Sequence, residues 1–229
     1  MKFFPKLTLL PIFISLIFSV NLHAAGDLKE PLHPYWSFEG PLGTFERASL
    51  QRGYQVYTEV CAGCHSMDYL SYRNLVEDGG PEFSEAQAKA MAAQFEVKDG
   101  PNEDGEMFLR PAILSDKFVS PWENEQQGRA ANGGAYPPDL SVMVKARPGG
   151  ADYLYSLLLG YEEPPSDMKL DDGVYYNIYA KGQKIAMPQL LYDGAVEYTD
   201  GTVSTPEQMA YDVTSFLTWA AEPKLEARK

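Results

Sequence analysis

Cys61-Ala62-Gly63-Cys64-His65 decides the reading of this 229-residue chain. Cys61 and Cys64 are its only cysteines, three apart, and His65 follows at once. Residues three and four apart share one face of a helix, so a helical turn here aims two thiols and an imidazole at one point. The pattern C-x-x-C-H reads as c-type haem attachment: two thioether bonds to the haem vinyl groups, with His65 binding the iron from one side. A thioredoxin-like pair needs a βαβ pattern around it, and none is visible. A structural zinc site wants four ligands, while beyond the N-terminus only His33 and His65 join the two cysteines.

Upstream, Lys2 and Lys6 precede an apolar run from Leu7 to Val20, with Ala24 and Ala25 beyond it. That is the layout of a secretory signal peptide, here residues 1–24. The run includes Pro11 and is short for a membrane span, though an uncleaved anchor is the alternative. Export fits covalent haem attachment outside the cytoplasmic membrane. Both thiols are committed to haem, so no disulfide is expected. Residues 25–229 are long enough for one domain with a sizeable core. Loss of Lys2 and Lys6 takes the net charge from −13 to −15, which argues against nucleic acid and anionic lipid and favours a basic partner.

The remaining pattern is mostly helical and rich in loops, with 19 Gly and 17 Pro. Residues 26–48 read as an extended arm. Leu50, Tyr54, Tyr57 and Cys61 set a helical period, predicting a helix from about Leu50 to Cys61. Gly53 costs that helix about 1 kcal/mol relative to Ala unless a close helix crossing requires it. Residues 77–110 read as an acidic insertion with a helix from Ser84, boxed by Gln87, to about Phe95. Another helix is expected from Ser120, with Pro121 in its first turn and Glu123 closing the box, ending at Asn132-Gly133-Gly134. Asp139 is expected to cap a short helix through Ala146, Asp152 to Leu159 to form a helix stopped by Gly160, and 174–179 to form a strand. Thr205, Pro206 and Gln208 start the last helix, with Met209, Val213, Phe216, Leu217 and Ala220 on one face and Pro223 as its stop. Gly53 and Tyr57 are expected to pack on Phe216 or Leu217.

A haem iron held by His65 has a sixth position, which Met, His or nothing fills. His33 lies in the Pro-rich arm. Met67 is too near His65 to reach the opposite face. Met91, Met143 and Met209 fall in expected helices as core filler, and Met107 and Met168 in acidic segments. Met187 stands out, in a loop stiffened by Pro188 just before the last helix.

Four segments make the chain similar to a known family: RGYQVYTEVCAGCHSMDYLSYRNL at 52–75, ANGGAYPPDLSVMVKARPGGADYLYSLLLGY at 131–161, IAMPQLLYDGAVEYTDGT at 185–202 and DVTSFLTWAAEP at 212–223. The chain resembles the cytochrome c1 family, haem subunits of ubiquinol–cytochrome c reductase, over nearly all of its length after the signal. The resemblance implies a mostly α, class I cytochrome c-like haem domain with long loop-rich insertions. It implies one covalently attached haem c per chain, thioethers at Cys61 and Cys64, and His65 and Met187 as axial ligands. Arg147 and Tyr153 match haem-propionate contacts, and Asn132, Tyr136 and Pro138 a loop lining the pocket. It further implies electron transfer from a Rieske iron–sulfur subunit to a soluble or membrane-attached cytochrome c, with cytochrome b as neighbour and no bond-breaking catalysis by this subunit. The place is the periplasmic face of the bacterial inner membrane. The acidic stretches 77–106 and 162–172 are expected to steer the basic cytochrome c. The family's C-terminal membrane helix has no counterpart before Lys229: either the sequence is truncated there, or partner subunits alone hold the head, or the N-terminal segment stays on as an anchor. Truncation is the expectation, with membrane association through the complex. A soluble periplasmic monohaem shuttle is the alternative; an open sixth site would instead mean a haem enzyme or ligand sensor.

Overall fold

The computed structural model describes residues 29–229; the expected signal peptide lies outside them. Helices are the main regular structure of the described chain, joined by long loops and two small sheets. Its helices are α1 (Arg47–Val56), α2 (Glu85–Ala92), α3 (Glu125–Ala131), α4 (Met143–Ala146), α5 (Gly150–Leu159), α6 (Pro206–Ala221) and α7 (Leu225–Arg228). The strands β1 (Glu96–Asp99) and β2 (Phe108–Pro111) pair antiparallel, as do β3 (Tyr175–Tyr176) and β4 (Lys184–Ile185).

α6 is the axis of the molecule. Thr205 accepts the Gln208 N–H at 3.2 Å, so the cap forms as expected. The Gln208 side chain does not return to the cap; it donates to Asp212 at 2.9 Å. Met209, Ala210 and every residue from Asp212 to Ala221 are buried, so the helix is covered on all sides by α1, α4, α5 and the N-terminal arm. The expected apolar stripe of Met209, Val213, Phe216, Leu217 and Ala220 is buried, and so are the polar residues beside it, Asp212, Thr214, Ser215 and Thr218.

The α1–α6 crossing forms where Gly53 foretold it. A Cβ on Gly53 would lie 2.7 Å from Phe216 Cβ and overlap the Asp212 carbonyl oxygen. The rings of Tyr54 and Tyr57 lie 5.8 and 5.9 Å from that of Phe216. Glycine's helix penalty is therefore offset by the close approach of two backbones. We expect Gly53→Ala to lower stability by about 1–3 kcal/mol through overpacking. A urea midpoint equal to that of the unsubstituted protein contradicts the crossing.

The arm does not stand away from the body. Trp36 is 1% exposed, stacked on Tyr211 at 4.9 Å and on Phe38 at 5.3 Å, and its indole N–H donates to Asp152 at 2.6 Å. Three expected element boundaries need correction. The helix after Ser120 starts only at Glu125, capped by Asn124, because Ser120 closes a tight turn by accepting from the Trp122 N–H at 3.3 Å. The 174–179 strand shortens to two residues, and Asn177, fully buried, turns the chain there. The insertion's helix ends at Ala92 rather than near Phe95, and β1 and β2 follow as a hairpin clamped by Arg110 onto Asp99 and Asp116. No helix among the described residues is long and apolar enough to cross a membrane.

Candidate haem site

The motif sits where α1 ends, and the helix changes pitch to reach it. Residues Tyr57–Cys61 form a π turn, in which the Ala62 N–H donates to the Tyr57 carbonyl at 2.8 Å. Such turns recur at functional sites. Next, the N–H groups of Cys64 and His65 both donate to the Cys61 carbonyl, at 3.0 and 2.9 Å. One tight turn thereby brings the backbones of Cys61, Cys64 and His65 together, and both thiols are free. Both cysteines are partly exposed, and burial together with the neighbouring Cys64 pushes the Cys61 thiol up to about 12.

His65 is held by one ring nitrogen. Its Nδ1 lies 2.7 Å from the Pro138 carbonyl oxygen, which can only accept, so Nδ1 carries the proton and Nε2 keeps its lone pair. That is the second partner expected of a metal-ligating histidine. Burial holds its pKa below the ordinary value and so favours the neutral ring that a metal requires. Two attachable thiols, a neutral imidazole and an oriented free nitrogen fit a c-type haem.

Other segments lock this turn. The Trp122 indole donates to the Cys64 carbonyl at 2.9 Å, and the Tyr57 hydroxyl to the His65 carbonyl at 3.3 Å. Asp139 accepts from the Ser66 hydroxyl and the Asp68 N–H, both at 2.8 Å. Its other oxygen accepts from the Ser141 N–H at 2.8 Å, so it ties two segments together instead of capping the short helix, which starts at Met143. The sequence reading missed Trp122 altogether. Its target is a backbone oxygen, which leaves no residue pattern to read.

The remaining candidates occupy three other segments. Asn132 ends α3 and donates to the Gly128 carbonyl at 2.7 Å, in the loop that leads to Tyr136 and Pro138. Arg147 is exposed, and its guanidinium donates to the Ala146 carbonyl at 3.2 Å. Tyr153, half-buried, stands in the first turn of α5, after the Gly149 reversal at φ 86°. Met187 lies just past β4, half-buried, its carbonyl accepting from the Tyr161 hydroxyl at 3.0 Å. The described hydrogen bonds thus join Cys64, His65 and Pro138 in one cluster. They do not link Met187, Arg147 or Tyr153 to that cluster. Among the competitors for the sixth position, Met67, Met143 and Met209 are core residues, and His33 pairs with Asp152 at 2.7 Å.

The family model described as the cytochrome C1 family matches residues 36–229. The chain belongs to the cytochrome c1 family. It is 54% identical over 206 residues to "Cytochrome c1 2, heme protein, mitochondrial" of Arabidopsis thaliana, covering 90% of this chain and 66% of that one. It is 52% identical over 215 residues to "Cytochrome b-c1 complex catalytic subunit, mitochondrial" of Candida albicans, covering 92% and 74%. It is 49% identical over 213 residues to "Cytochrome b/c1" of Bradyrhizobium diazoefficiens, covering 85% and 31%. The chain therefore spans just under two thirds of the Arabidopsis cytochrome c1 and about a third of the Bradyrhizobium protein.

Within this cytochrome c1-family chain, the two acidic stretches differ. In 77–106, Glu77, Glu82, Glu85 and Asp99 pair with Lys224, Arg47, Lys89 and Arg110. In 162–172, Glu162, Glu163, Asp167, Asp171 and Asp172 are exposed and, among the described residues, make no ion pair. Asp78, Glu96, Glu103, Asp104 and Glu106 of the first stretch are also exposed and, among the described residues, unpaired, so both stretches carry uncompensated charge, more closely spaced along the chain in the second, next to Tyr161.

Proposed function

We propose that the chain is the electron-transfer haem subunit of a respiratory quinol–cytochrome c reductase. It takes an electron from a Rieske iron–sulfur partner and gives it to cytochrome c, with cytochrome b as its neighbour in the membrane. The observation that carries this reading is the His65 ring, fixed through Nδ1 on the Pro138 carbonyl beside two free thiols. Membership of the cytochrome c1 family supports it, as does the naming of a b-c1 complex in the Candida relative.

One haem c, bound covalently by Cys61 and Cys64, supplies a one-electron Fe(III)/Fe(II) couple. His65 Nε2 and the Met187 thioether would hold its iron. The soft, neutral sulfur favours Fe(II) and so raises the potential, and a filled sixth position excludes small ligands. Arg147 and Tyr153 hold the propionates, Arg by its fixed fork of donors. Asn132 and Pro138 line the pocket, Pro138 also orienting His65. The domain, residues 25–229, is of the class I cytochrome c type. It is exported by the signal at 1–24 and works on the periplasmic face of a bacterial inner membrane. The Lys-flanked apolar run with Ala24 and Ala25 supports that placement.

The exposed carboxylates at 162–172 steer a basic cytochrome c toward the site. Converting Glu162, Glu163, Asp171 and Asp172 to Lys is expected to slow oxidation of the reduced protein by a basic cytochrome c about 10-fold or more at low salt. It also flattens the dependence of that rate on ionic strength. Stopped-flow traces with an unchanged salt slope overturn the docking role, and no electron transfer by the unsubstituted protein overturns the function.

A further inference from the structure

Residues 186–190 carry Met187 beyond the end of β4 and are mostly exposed. Among the described residues, one hydrogen bond ties this stretch to another part of the chain, and it runs from the Tyr161 hydroxyl to the Met187 carbonyl at 3.0 Å. Tyr161 is itself firmly seated. It follows Gly160 at the end of α5, and its backbone bridges Asn177 in antiparallel fashion. The Ile178 N–H donates to the Gly160 carbonyl at 2.9 Å. Asn177 is fully buried; its side chain donates to the Leu157 carbonyl at 2.8 Å and accepts from the Tyr179 N–H at 3.0 Å. A Cβ on Gly160 would come within 2.6 Å of Asn177 Oδ1, so the two segments meet with no spare room. The β3–β4 hairpin then closes Tyr175 onto Ile185. Tyr161 therefore grips the 177–187 segment twice, by main chain where it begins and by side chain where it ends.

We propose that Tyr161 is the positioning residue for the sixth-ligand segment, its hydroxyl clasping the Met187 carbonyl so that the thioether stays presented and competing small ligands stay out. The proposal rests on the assignment of Met187 as axial ligand. A methionine side chain has three rotatable bonds and holds no direction of its own, so its orientation comes from the backbone that bears it. Ligand replacement requires that backbone to swing away, and the population of the open form sets the apparent affinity of any competitor. Loss of one net hydrogen bond shifts such an equilibrium by several-fold, up to about 10-fold.

The test uses the full haem-loaded chain, unsubstituted and as Tyr161→Phe, whose ring preserves the packing. Carbon monoxide is titrated into the reduced form and imidazole into the oxidised form. The sulfur-to-iron absorption band, haem content and thermal midpoint are recorded beside them. The expected result is a Tyr161→Phe protein that keeps its haem and its band yet binds both probes several-fold more tightly. A purely structural role moves the thermal midpoint and leaves the two affinities alone; unchanged affinities overturn the proposal while Met187 stands. Absence of the band in the unsubstituted protein overturns the Met187 assignment and the clasp with it.

Discussion

Replacing Asp212 with alanine is expected to lower stability by about 3–5 kcal/mol, the cost of removing one partner from a buried charge pair. Asp212 lies fully buried on α6. It accepts from Ser49 at 2.7 Å, from Arg52 Nε at 2.9 Å and Nη2 at 3.1 Å, and from Gln208 at 2.9 Å. The Arg52 side chain is itself only 13% exposed. Alanine leaves a guanidinium, a hydroxyl and an amide facing a hole, with Asp200, 2.9 Å from Arg52 but itself exposed, as the remaining counter-charge. Asp212→Asn keeps an acceptor and removes the charge, so its loss falls between. Urea unfolding of the haem-loaded protein measures both, provided the slope with denaturant is unchanged. A loss below about 1 kcal/mol for the alanine variant contradicts the account, because exposed pairs contribute that little. Since Asp212 lies on the turn of α6 that faces Gly53, this network and the helix crossing reinforce each other.

Met187→Leu is expected to abolish the sulfur-to-iron band of the oxidised protein. It is also expected to lower the reduction potential by on the order of 0.1 V, within the ~0.8 V that axial ligands span. Leucine is close to methionine in volume, so the fold survives and the change belongs to the ligand. Carbon monoxide then binds the reduced form more tightly than it binds the unsubstituted protein. An optical redox titration reads both quantities. Retention of the band moves the sulfur ligand to another methionine. Of the alternatives, Met67, Met143 and Met209 would each have to leave the core.

Glycine, proline and capping residues were the most legible parts of the chain, because each acts on its own neighbourhood. Gly53 announced a crossing, Gly160 a stop, and Ser84 with Gln87 a helix start, which the structure closes with a reciprocal side-chain bond. Ser120 carried an equally good start signal and made a turn instead. The Trp122 indole reaches the Cys64 carbonyl, and a helix starting at Ser120 is not what this segment forms. The β1–β2 hairpin was hidden for a related reason: both strands are largely exposed, so no alternation of apolar residues marks them. At the candidate site, Cys61, Cys64 and His65 stand out in the sequence because the chemistry proposed for them selects side chains. The contacts that orient them were not. Pro138 acts on His65, and Tyr161 on Met187, through main-chain oxygens that every residue possesses.

The π turn at Tyr57–Cys61 admits one residue more than an α-helix would between the crossing and the motif. Each helical residue rotates the chain by about 100° and advances it 1.5 Å. The extra residue therefore works as a phase shifter between two gears. Upstream, the teeth are set by Gly53 and Tyr54 against α6. Downstream, the bearing of the thiols and of His65 is set independently. Winding the same residues as an ordinary α-helix would leave every side chain in place by type while swinging the motif about a quarter-turn away from Pro138 and Trp122.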